Sequence, residues 1–96
     1  MAIGVTAKLV VKEGHAEQFE TLFKELQNSV NENEADCLFY AIHKSRADSL
    51  EYMVLEQYQD QQALDAHQQA EYFKRIGAQL AEHVATAPEV TFFDSV

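Results

Sequence analysis

The chain has a single cysteine, Cys37, in 96 residues. That excludes an intramolecular disulfide and fits a reducing, cytoplasmic setting. Cys37 reads as a small buried hydrophobe on a strand. Basic residues are scarce as well: 7 Lys and Arg against 16 Asp and Glu leave a formal net charge of −9. A surface that acidic repels phosphate backbones and anionic lipid, so neither nucleic acid nor membrane is an expected partner. No apolar run is long enough to span a bilayer, and Met1-Ala-Ile-Gly4 lacks the basic and apolar regions of a secretory leader. Chemical signatures are missing too. There is no GxGxxG or phosphate loop, no HExxH, no CxxC, and no glycine-flanked serine.

What is present is regular hydrophobic spacing. Hydrophobic residues make up 47% of the chain, which excludes disorder and predicts one folded domain over residues 1–96. A chain this short buries about two thirds of its unfolded surface, so an oligomeric partner would help it. From Ile3 to Lys12, Ile3, Val5, Ala7, Leu9 and Val11 alternate with Thr6, Lys8 and Lys12, the pattern of a strand. Glu13-Gly14 ends it. Phe19, Leu22, Phe23, Leu26 and Val30 then recur at spacings of three and four, predicting an amphipathic helix from His15 to about Asn31.

Residues 37–45 and 50–58, rich in aromatic and β-branched side chains, predict two strands joined as a hairpin across Arg46–Ser49. A long helical region is expected from Asp60 to about Ala85, stopped by Pro88, with a last strand over 89–96. The order βαββαβ is that of an α+β, ferredoxin-like domain with an antiparallel sheet. The two middle strands are apolar on both faces: Leu38, Tyr40 and Ile42 against Phe39 and Ala41, then Tyr52 and Val54 against Met53 and Leu55. Two helices cover one face of such a sheet, and a second copy of the chain is the simplest cover for the other. A sheet-to-sheet homodimer is therefore expected.

His67 is the leading candidate for chemistry. It lies three residues after Leu64 on the stripe that faces the sheet, within one turn of Glu71, and an imidazole there suits general base work near neutral pH. The bland alternative is a partly buried histidine satisfied by a carbonyl or by Glu71. His67 with Glu71 also offers a weak metal pair. Glu56 is the second candidate, a carboxylate near the end of an apolar strand that needs a partner if buried. Parity places it with Tyr52, Val54 and Tyr58. On a helix-facing side it would hold His67; on a partner-facing side it would form an interface salt bridge, for example with Arg46. Tyr40, Tyr52, Tyr58 and Tyr72 each combine a packing ring with a hydroxyl able to orient a ligand. Tyr72 and Phe73 would wall a pocket, His43 falls on either face, and His15 and His83 read as solvated.

Three segments together resemble a known family. Glu56-Gln-Tyr58 at a strand end, Asp60-Gln-Gln-Ala-Leu-Asp-Ala-His67, and Ala70-Glu-Tyr-Phe73 are similar to the antibiotic biosynthesis monooxygenases, and Val11-Lys-Glu-Gly14 and the closing strand also fit. The resemblance implies a dimeric α/β barrel with a pocket between helices and sheet in each subunit. It implies oxidation of a quinol- or polyphenol-like aromatic by O2 with no cofactor and no metal. On that implication His67 is the base or proton relay, supported by Glu56. Tyr58, Tyr72, Phe73 and Tyr40 then contact the small aromatic substrate. The chain departs from the family in having Tyr58 where many members have tryptophan, and it has no tryptophan at all. Haem-degrading relatives use a strand-one asparagine where this chain offers Thr6, so their chemistry is not expected. The same fold also carries isomerases of small hydroxycarbonyl metabolites and dimers that only bind a ligand.

Overall fold

The computed structural model describes every residue, Met1–Val96. The chain runs β1 (Ile3–Val10), α1 (Ala16–Asn33), β2 (Cys37–Lys44), β3 (Glu51–Tyr58), α2 (Gln61–Gln69), α3 (Glu71–Leu80) and β4 (Glu89–Asp94). The four strands form one sheet in the order β2-β3-β1-β4, antiparallel at every pairing. This is the ferredoxin-like α+β arrangement that the element order predicts.

Local chemistry explains the corners. Gly14 sits at φ 85°, a left-handed position where a side chain would strain the backbone, and it turns the chain from β1 into α1. In the hairpin, Ser45 Oγ accepts from the amides of Ala47 and Asp48, and Asp48 Oδ1 accepts from Leu50 N–H. Asp60 caps α2, its Oδ1 accepting from Ala63 N–H at 2.9 Å. The helices lie on one face of the sheet. Phe19, Phe23, Leu26 and Val30 of α1 and Ile76 and Leu80 of α3 bury against Leu9, Tyr40, Tyr52 and Val54.

Two expectations need correction. The region 60–85 is two helices, broken at Ala70, whose ψ of 137° is extended. Phase is the reason. His67 and Ile76 are both buried and nine positions apart, and at about 100° per residue one straight helix would set them on opposite sides. Changing direction at Ala70 turns both inward. Helix α3 then ends at Leu80, well before Pro88, and Val84 instead bridges Val11. In β2 the expected alternation fails at its start. The register shifts between Cys37 and Phe39, so Cys37 pairs with Tyr58, Tyr40 pairs with Glu56, and Leu38 is left over, 53% exposed.

The opposite face of the sheet carries no helix. Phe39 (47% exposed), Leu55 (36%) and Phe93 (53%) stand on it, with Met53, Ala41 and Thr6 between them. A contiguous apolar face of this size is uncommon on a folded chain.

Candidate functional site

Between the helices and the inner sheet face lies a cavity of about 490 Å3. Fifteen of its 20 lining residues are hydrophobic, and no lysine or arginine is among them. Val5, Leu9 and Val54 form the floor, Phe19, Phe23 and Leu26 one wall, and Phe73, Gly77 and Leu80 the other. No contact exists around Gly77 that an added Cβ would meet within 4 Å, so the glycine leaves the cavity wide there. At β4, Val90 and Phe92 line the rim while remaining about half exposed, because no helix covers that edge strand.

The polar groups of the lining are few. They are Tyr40, Glu56, His67 and Gln68. His67 is 3% exposed and is surrounded by three rings, with centroids at 4.5 Å (Phe73), 5.2 Å (Tyr58) and 5.3 Å (Tyr40). Burial holds its pKa below the usual histidine value, although the carboxylate of Glu34 pulls the other way. Its Nδ1 lies 3.0 and 3.1 Å from the two oxygens of Glu34. Its Nε2 has no protein partner.

Glu56 resolves to the helix-facing side, 9% exposed, and not to the outer face where a partner subunit would meet it. Its Oε1 accepts from Tyr58 O–H at 2.7 Å. Burial raises its pKa to about 7; the Tyr58 hydrogen bond opposes the rise, and the charge of Glu34 adds to it.

Of the side chains expected to contact substrate, Tyr40 and Phe73 line the cavity, whereas Tyr58 and Tyr72 do not. Tyr58 is fully buried behind Glu56, and Tyr72 O–H donates to Glu34 Oε2 on the far side of His67. Both hydroxyls are taken by carboxylates. The two residues expected to hold His67 do something else. Glu71 accepts from Arg75 Nε at 3.0 Å on the surface, and Glu56 bonds Tyr58. Glu34 is the partner, a residue in a polar run that periodicity ignores. The one available signal was its position: a carboxylate at a helix C-terminus opposes the macrodipole, so it needs another reason to be there.

Other expectations settle more simply. His15 and His83 are not free in solvent: their Nδ1 atoms lie 3.0 Å apart, tying the start of α1 to the segment after α3. His43 pairs opposite Met53 on the outer face and is exposed. Cys37 is half-buried, and burial pushes its thiol up to about 12. No group of three or more His, Cys, Asp or Glu side chains converges as a metal site would require.

The domain is thus a small ferredoxin-like fold with an apolar cavity between helices and sheet, furnished with one buried His and one buried Glu. Residues 2–79 match the antibiotic biosynthesis monooxygenase family, and the chain belongs to it. A Caulobacter crescentus protein bearing that family's name provisionally is 38% identical; the match covers 99% of this chain and 90% of that one, with a TM-score of 0.96. A conserved protein of Methanosarcina mazei is 28% identical over 97% of this chain and 91% of its own, with a TM-score of 0.90. A Nitrosomonas europaea protein, 15% identical over 99% and 90%, shares the fold at a TM-score of 0.93. No curated protein matches the chain in sequence. No helix is long and apolar enough to cross a membrane.

Proposed function

We propose that the protein is a homodimeric oxygenase that oxidises an uncharged quinol- or polyphenol-like aromatic with O2, the substrate itself supplying the electrons. The observation that carries this reading is the cavity: about 490 Å3, largely apolar, with Tyr40, Glu56 and His67 among its few polar lining groups. A flat aromatic body fits the apolar walls, and a phenolic hydroxyl fits the polar cluster. His67 Nε2 takes the phenolic proton, with Glu56 as the second proton-exchanging group at the same site. The electron-rich anion passes one electron to O2, and the substrate radical and superoxide join as a peroxide. Protonation by His67 and loss of water leave a carbonyl, so one oxygen atom enters product and the other becomes water.

The lining also weighs against the isomerase alternative for phosphorylated substrates. Such a ligand needs a cationic anchor; no Lys or Arg lines the cavity, and four cations of the sheet and α3 are engaged elsewhere. Lys8 pairs with Glu51 and Glu89, Lys44 with Glu20, Arg75 with Glu71 and Glu25, and Lys74 donates to Gln69. The second copy would cover the open apolar face around Phe39, Leu55 and Phe93.

The test is oxygen consumption by metal-stripped protein with hydroquinones and anthrone-type phenols, beside His67→Ala. Uptake above the spontaneous rate that falls by about a hundredfold or more in the variant is the expected result. No uptake with any aromatic, but tight binding of one, would leave a ligand-binding dimer in its place.

A further inference from the structure

The residue behind His67 has a role of its own. Glu34 is the C-cap of α1, its backbone fixed by its own N–H to Val30 O (2.9 Å) and by Cys37 N–H donating to its carbonyl (3.1 Å). Its side chain is 12% exposed while that of His67 is 3% exposed, so the carboxylate reaches from the buried imidazole to water. Both oxygens approach Nδ1, and Tyr72 O–H donates to Oε2 from α3. An ionised carboxylate only accepts hydrogen bonds, so a neutral His67 must carry its proton on Nδ1. That leaves the unpartnered Nε2 with its lone pair, on a residue that lines the cavity.

We infer that Glu34 is the positioning residue of this site: it locks His67 in the Nδ1–H tautomer and carries the proton that Nε2 receives out to solvent. The inference rests on the reading of His67 as the base. The step balances. The ligand O–H proton binds Nε2, the Nδ1 proton moves to Glu34, and Glu34 releases it to water at its exposed edge. The imidazole returns to neutrality as the Nε2–H tautomer, and it resets when Nε2 gives its proton to the product peroxide while Glu34, reprotonated from water, returns one to Nδ1. The other ionisable groups around the ring are Tyr40 and Glu56 of the sheet, Tyr58 beneath it, and Tyr72 and Cys37 next to Glu34. None of these bonds the imidazole. A carboxylate here opposes the helix dipole and so costs local stability, which is consistent with a placement that serves the histidine.

Nitrogen-resolved NMR of the His67 ring in the ligand-free protein tests this without any turnover. In the wild type the neutral ring should show a single tautomer, Nδ1 protonated. In Glu34→Gln the titration midpoint should fall by about one to three pH units, as expected for loss of an opposing charge within contact distance, and the tautomers should mix. Tyr72→Phe should act in the opposite sense: the carboxylate loses a competing donor, and the His67 midpoint should rise. Because Tyr72→Phe keeps the ring and its packing, it carries the test should the Gln variant not fold. A His67 that is Nε2-protonated in the wild type, or midpoints unchanged in the variants, would overturn the inference. If instead the shifts occur but no aromatic consumes O2, the oxygenase reading fails while the positioning role stands. Where uptake is seen, Glu34→Gln should lower kcat with little change in KM and move the acid limb of the pH profile with the NMR midpoint.

Discussion

Replacing Glu56 by glutamine should make the protein more stable at pH 8 than at pH 5 relative to the wild type, and the magnitude can be worked from the site. The carboxyl's pKa is raised from 4.5 to about 7, chiefly by burial. A group whose folded pKa lies above its unfolded value keeps its proton longer in the fold than in the unfolded chain. Its favourable contribution is therefore largest below pH 4.5, falls as pH rises through the window to 7, and is flat above it. At about 1.4 kcal/mol per unit the gap amounts to about 3 to 4 kcal/mol. The glutamine side chain is neutral at every pH, and its amide oxygen still accepts from Tyr58 O–H, so packing and hydrogen bonding change little. His67 runs in the opposite sense. Its lowered pKa gives stability above the unfolded value that is lost as pH falls, but both proteins carry it and it cancels in the difference. Urea unfolding of both proteins at matched concentration, from pH 5 to pH 8, reads the effect directly. The variant's advantage should grow by about 2 to 3 kcal/mol across that range, most of it below pH 7. Parallel curves would show that Glu56 ionises in the fold as easily as in water, and the argument for a buried proton-exchanging carboxyl would collapse.

Two further outcomes follow from the packing. Gly77 lies in α3 with nothing within 4 Å of an added Cβ, so Gly77→Ala should raise stability by about 0.5–1 kcal/mol in thermal or urea unfolding, through helix propensity alone. Leu55 stands 36% exposed on the open sheet face between Ala41 and Thr6; Leu55→Glu should convert a dimer to monomer in sedimentation experiments while far-ultraviolet circular dichroism stays unchanged. A monomeric wild type at micromolar concentration would remove the second copy from the proposal.

The architecture was legible because it rests on short-range patterns. Alternation in β1 and in β3, the three-and-four spacing of Phe19 to Val30 and the polar turn at Arg46–Ser49 are each encoded within a few residues, and each forms where it is expected. The break at Ala70 was legible in principle as well: Leu64 and His67 are out of phase with Ile76 and Leu80, and one helix cannot bury both sets. The bulge at Leu38 was not, because strand alternation says nothing about where a partner strand shifts register.

The site depends on distance through space. Glu34 and His67 are 33 residues apart in the chain and 3.0 Å apart in the fold, brought together only when α1 and α2 both pack against α3 and the same face of the sheet. Glu56 could face helices or a second subunit by parity alone, and the packing of both helices on one side of the sheet decides which. The exchange of Tyr58 and Tyr72 from cavity wall to carboxylate donor has the same origin. A hydrogen bond is formed by atoms whose positions come from several elements at once, so its partners are set by how those elements stack. Periodicity, a property of one element at a time, specifies the elements and their buried faces and leaves those pairings to the assembled molecule.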